Sequence, residues 1–67
     1  MNVVTTITHT ILFDDYLIEV LYLEYVGGGS CYKYRITKGD TLIQSALEYG
    51  QSEEAAAGAF IWLADND

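Results

Sequence analysis

His9 and Cys31 are the chain's single histidine and single cysteine, and they head the short set of side chains able to do acid–base or covalent chemistry. A general base needs a nucleophile or a carboxylate within hydrogen-bond reach. His9 is flanked by Ile7 and Ile11 in an alternating segment, and Glu24, the carboxylate on its side, lies far along the strands. It reads as a partly buried packing histidine. Cys31 follows a glycine turn, and Lys33 and Arg35 project from the same side of its strand, an environment that favours a thiolate. No histidine stands in register to assist, so Cys31 reads as a structural thiol. One His and one Cys are a poor supply of metal ligands. Asp14-Asp15 and Asp65-Asn66-Asp67 have neither the number nor the spacing of a calcium loop. Gly27-Gly28-Gly29-Ser30 lacks the Gly-Lys-Ser/Thr ending and the following helix of a phosphate loop. The expectation is no catalytic set, no metal and no cofactor, and a protein that works by binding rather than as an enzyme.

Charge narrows what could be bound. Ten acidic residues face three basic ones, a net charge of −7, and Lys33, Arg35 and Lys38 all fall in one short segment. Direct binding to nucleic acid is disfavoured by that balance. An acidic surface that competes with nucleic acid for a basic protein is the natural alternative. The start of the chain lacks a basic segment followed by an apolar core, and no run approaches the ~20 apolar residues of a membrane span. With a lone Cys, this points to the cytoplasm, and to no membrane partner.

The elements that must position these residues follow from pattern. At 67 residues there is room for one domain, residues 1–67. Val3 to Phe13 and Tyr16 to Val26 are rich in β-branched and aromatic residues, as strands are. Asp14-Asp15 separates them, Gly27–Ser30 marks a turn, and Cys31 to Thr37 makes a third strand. Thr41 to Tyr49 fits either a strand or a helix capped by Asp40, and the strand continues the sheet. Ser52 opens a helix with Glu53 and Glu54 in its first turn, where the helix dipole favours acids. Ala56, Ala59, Phe60 and Leu63 form its apolar stripe, and 65–67 reads as a frayed tail. The expected fold is α+β: a three- or four-stranded antiparallel meander followed by a C-terminal helix, with a βββαα arrangement as the alternative.

A two-residue loop at Asp14-Asp15 pairs Phe13 with Tyr16, Ile11 with Ile18 and Ile7 with Tyr22. A four-residue loop at Gly27–Ser30 pairs Tyr25 with Tyr32, Leu23 with Tyr34 and Leu21 with Ile36, and sets Glu24 beside Lys33 and Tyr22 beside Arg35. A turn at Lys38-Gly39 sets Ile43 beside Tyr34. One face, with Leu12, Leu17, Leu21, Leu23, Tyr25, Tyr34 and Ile36, is then the core under the helix. The other carries Ile7, Ile11, Phe13, Tyr16, Ile18, Val20 and Tyr22. That face is too apolar for water and is expected to be an interface, covered by a second copy in a homodimer or by a foreign protein. Glu19, Glu24, Glu48, Glu53 and Glu54 are the expected acidic contacts.

Three resemblances bear on function. Tyr34-Arg35-Ile36-Thr37-Lys38-Gly39-Asp40-Thr41-Leu42, with Ala46 and Tyr49-Gly50, resembles the start of a LysM module, which would imply a helix at 41–49 and binding to N-acetylglucosamine glycans. Glu53 and Glu54 depart from that family's hydrophobic stretch. Gly39-Asp40-Thr41-Leu42 with Ala46-Leu47-Glu48 is similar to the strand-to-helix junction of HicB-type antitoxins. In general character the chain is similar to small acidic anti-CRISPR proteins of phages. That resemblance implies an inhibitor acting in the host cytoplasm by occupying a partner's surface or its nucleic-acid path.

Overall fold

The computed structural model describes residues 2–66; Met1 and Asp67 lie outside the described residues. Strands β1 (Val3–Phe13), β2 (Tyr16–Tyr25), β3 (Ser30–Lys38) and β4 (Thr41–Gln44) precede one helix, α1 (Ser52–Asn66). The strands form one antiparallel sheet in chain order, so the architecture is the expected α+β meander with a fourth strand. The helix runs through Asp65 and Asn66 rather than fraying at 65, and the Asn66 side-chain amide donates to the Trp62 carbonyl at 2.9 Å. Ser52 is already helical; Gln51 accepts the first helical hydrogen bond from Ala55 N–H, and the Ser52 hydroxyl turns to Glu53 instead of capping.

The first hairpin turns on Asp14-Asp15 as the pattern predicts, with Asp14 at φ 52°, a left-handed conformation that Asp tolerates better than most residues. Pairing runs from Phe13–Tyr16 to His9–Val20 and then slips by one, so that Ile7 lies opposite Leu21 rather than Tyr22. Thr8 is the extra residue of this β-bulge, and its hydroxyl donates to the Val20 carbonyl at 3.2 Å. A bulge moves the side chains beyond it to the opposite face. His9, Ile11 and Phe13 therefore share one face of the sheet, and Val3, Thr5 and Ile7 the other.

The second turn overturns the expected faces. Gly27, Gly28 and Gly29 all have positive φ, and the loop closes through Tyr25 N–H to Gly29 O at 3.0 Å. This tighter closure slides β3 by three residues against the expected register: Ile18 pairs with Ile36, Val20 with Tyr34, Tyr22 with Tyr32, and Glu24 with Ser30. An odd slip exchanges the two faces. Ile18 and Val20, expected at an interface, are instead fully buried beneath α1, with Tyr34, Ile36, Ala55, Ala59 and Leu63. Ile11, Tyr16, Ile43, Tyr49 and Trp62 pack around the cluster of Ile18, Tyr34, Ile36, Ala59 and Leu63. Leu21 and Leu23 form a separate buried cluster with Cys31 on the open face, flanked by Val3 and Tyr25, while Leu12, expected in the core, is 79% exposed.

The third turn is Gly39-Asp40, so Ile43 pairs with Ile36 rather than Tyr34, an even shift that keeps it on the helix face. Beyond Gln44 the chain neither continues as strand nor forms a helix. Buried Ser45 takes over: its Oγ accepts from Tyr34 N–H at 3.2 Å and donates to the Leu47 carbonyl at 3.1 Å. Residues 46–48 leave the sheet, and Tyr49 returns to bridge Tyr32 through two hydrogen bonds of 2.8 Å. The helix implied over 41–49 by the LysM and HicB resemblances is not formed.

Candidate functional site

The expected site residues are scattered by this packing. Of the seven interface positions, Ile18 and Val20 are closed off by the helix, Ile11 and Tyr16 are half-buried against the same core, and Phe13 packs edge-on to Phe60 at 5.8 Å. Tyr22 packs against Tyr32 with ring centroids 5.1 Å apart and planes tilted by 48°, and Ile7 sits across the bulge on the other face. They make no single patch for a face-to-face dimer. Glu19 is engaged by Arg35 Nε at 2.8 Å, and Lys38 Nζ lies 4.9 Å above the Tyr16 ring, so the expected Glu24–Lys33 and Tyr22–Arg35 pairs are replaced. Glu24 stands exposed opposite Ser30.

His9 Nδ1 lies 3.0 Å from the Thr8 hydroxyl, beside a small depression of about 180 Å³ shared with Ile11, Ser52, Glu53 and Ala56. The Ser52 hydroxyl, donating to Glu53 at 2.8 Å, holds that carboxyl below its usual range, aided by its own backbone and by His9 nearby. Cys31 is buried, its Sγ 3.6 Å from the Tyr25 hydroxyl, and that hydroxyl donates its one proton to Glu48 at 3.1 Å. The hydrogen bonds to Cys31 and then Glu48, with some burial, push the Tyr25 phenol up to about 12. Among the described residues no group of His, Cys, Asp and Glu side chains is placed to hold a metal ion, and no helix is long and apolar enough to cross a membrane.

A concavity lies where the 46–50 excursion meets the helix. It is a groove of about 670 Å³ lined by Tyr34, Tyr49 and Trp62, with Glu48, Glu54 and Asp65 among its walls and Leu47 and Ile61 beside them. Two of the five expected acidic contacts, Glu48 and Glu54, meet here; Glu19, Glu24 and Glu53 do not. Among the described residues no Lys, Arg or His lines it. Tyr34 and Tyr49 lie with ring centroids 6.2 Å apart, and burial, with the Tyr49 hydroxyl nearby, raises the Tyr34 phenol above its ordinary value.

Gly58 makes this geometry possible. A Cβ there would run into the Tyr49 hydroxyl and stand 2.8 Å from its Cζ. The bare glycine lets the helix close onto the ring and hold Tyr49 as a wall. Asp65 and Trp62 are site residues that the sequence pattern does not single out, and Tyr34, expected in the core, lines the groove as well. The helical spacing of Glu54, Gly58, Ile61 and Asp65 is a stripe legible in sequence; its meeting with Tyr49 is not. In comparisons with known proteins, no family model, curated protein or solved structure matches this chain.

Proposed function

We propose that this protein is a binding module that grips basic side chains of a partner protein in the groove between Tyr49 and α1. The observation that carries this reading is the convergence of three aromatic rings and three carboxylates in one concavity that no Lys, Arg or His among the described residues lines. A guanidinium or ammonium over an aromatic face gains ~0.5–2 kcal/mol, and carboxylates at the rim add attraction that salt screens. The overall charge of −7 steers basic surfaces towards the protein and repels nucleic acid. A partner that uses such a basic surface to hold nucleic acid would be blocked by it, which is the mode of action expected of an acidic inhibitor of phage or mobile-element type.

Trp62 is the only tryptophan, so its fluorescence reports on the groove directly. An arginine-rich peptide is expected to shift Trp62 emission saturably at low salt. Binding should weaken as salt rises, and Glu54→Gln with Asp65→Asn should cost tenfold or more. Absence of a response to the basic peptide, or a response that the two substitutions leave unchanged, would remove the reading. A response to chitin oligomers in its place would favour a glycan-binding groove.

A further inference from the structure

β1 is eleven residues long and has a neighbour on one side only, whereas β4 at the opposite edge is four residues long. A long open edge is a template for another strand, and proteins usually blunt it with Lys, Pro or acidic side chains. Val3–Phe13 contains none of these, although the chain as a whole carries ten acidic residues. Val4, Ile7, Leu12 and Phe13 are exposed along it. From this long edge, which carries no charge or proline and whose one interruption is the bulge at Thr8, and from its register, we infer that two copies of the chain pair β1 against β1, antiparallel, into one eight-stranded sheet.

Val26 N–H donates to Asn2 O at 2.9 Å, which sets the phase of the β1–β2 ladder. In an antiparallel ladder, residues alternate between pointing their backbone groups at the neighbour and away from it. Val4 and Thr6 therefore face β2, and Val3, Thr5 and Ile7 turn their N–H and C=O outward. The bulge at Thr8 reverses this phase along with the side-chain faces. Beyond it His9, Ile11 and Phe13 face β2, while Thr10 and Leu12 face out. A second strand running antiparallel through the whole of β1 must match both alternations at once.

One register does so. A two-fold axis between Thr8 and His9 sets Thr5 opposite Leu12 of the second copy and Ile7 opposite its Thr10, each with outward backbone groups and side chains on the open face. Between them, Val4 meets Phe13 of the second copy and Thr6 meets its Ile11, with side chains on the helix face. The bulge, a defect in β1 alone, lets a symmetric pair stay in phase along its full length. All four exposed apolar side chains gain cross-strand neighbours. Asp14 and Asp15 fall beside Val3 and Asn2 of the second copy, away from its carboxylates. Both helices lie on one side of the joined sheet, and both grooves stay open at its far ends.

Sedimentation velocity over a concentration series, joined to amide exchange, tests this. The native chain is expected to sediment as a dimer. The outward amides of Thr5, Ile7, Thr10 and Leu12 should gain protection as concentration rises. Thr10→Pro removes an outward N–H and leaves the β1–β2 ladder intact. Leu12→Lys places a charge on the edge. Each should raise the dimer dissociation constant tenfold or more with circular dichroism unchanged, and Leu42→Lys on the opposite edge should leave it unaltered. If Thr10→Pro fails to fold, Leu12→Lys decides. A native chain that stays monomeric across the series overturns the inference, as does a dimer whose outward β1 amides remain unprotected or that survives Leu12→Lys.

Discussion

Replacing Gly58 with Ala is the sharpest test of how the groove is built. In an exposed helix interior this change stabilises by ~1 kcal/mol, because alanine is the better helix former. Here the new methyl would run into the Tyr49 hydroxyl and stand 2.8 Å from Cζ and 3.3 Å from Tyr34 Cε2. Carbon atoms pack at ~3.5–4 Å, so the end of the Tyr49 ring must retreat by roughly 1 Å. Overpacking of this kind costs ~1–3 kcal/mol. The two effects oppose, and Gly58→Ala should destabilise by ~0–2 kcal/mol. With Tyr49 cut back to Ala the main obstacle is gone, and the same methyl should then stabilise by ~1 kcal/mol. Urea unfolding followed by circular dichroism, in a four-member cycle of Gly58→Ala and Tyr49→Ala, measures the difference. A 1 kcal/mol change moves the melting temperature of a domain this size by ~4–8 °C, well within reach. Should Gly58→Ala stabilise equally in both backgrounds, the close approach of helix and ring does not exist. The Gly58→Ala chain should also bind the basic peptide more weakly, since the Tyr49 wall has moved.

Ser45→Ala leaves the Tyr34 N–H without its buried acceptor and frees the Leu47 carbonyl. A cost of ~1–3 kcal/mol is expected in denaturant unfolding, and an unchanged midpoint would show that water replaces the hydroxyl without loss. Tyr25 gives a pH dependence. Its folded pKa, about 12, lies above the ordinary value of 10.0, so the unfolded chain gives up its proton first. The contribution is therefore complete below pH 10 and fades as pH climbs towards 12. Burial of Tyr34 adds to the same slope. Tyr25→Phe should flatten the alkaline loss of stability in melts run across that range, and an identical profile in the variant would refute the role given to the Cys31 and Glu48 hydrogen bonds.

Much of the architecture was open to reading from residue types alone. Alternation and β-branching placed β1, β2 and β3, Asp14-Asp15 set the first hairpin and its pairing as far as His9, and the run after Ser52 gave the helix. These are local matters: each rests on propensity, turn chemistry or period within a dozen neighbours. Which side of each strand meets the helix is not local. Period two says that Ile18 and Val20 share a face, and that Tyr34 and Ile36 share one, but not whether the two faces coincide. That was decided by how three glycines close one loop, and by one extra residue at Thr8. The groove stood further still from the sequence, because it exists only where Ser45 diverts the chain, Tyr49 rejoins β3 and Gly58 admits its ring. Those three residues are joined by packing rather than by spacing.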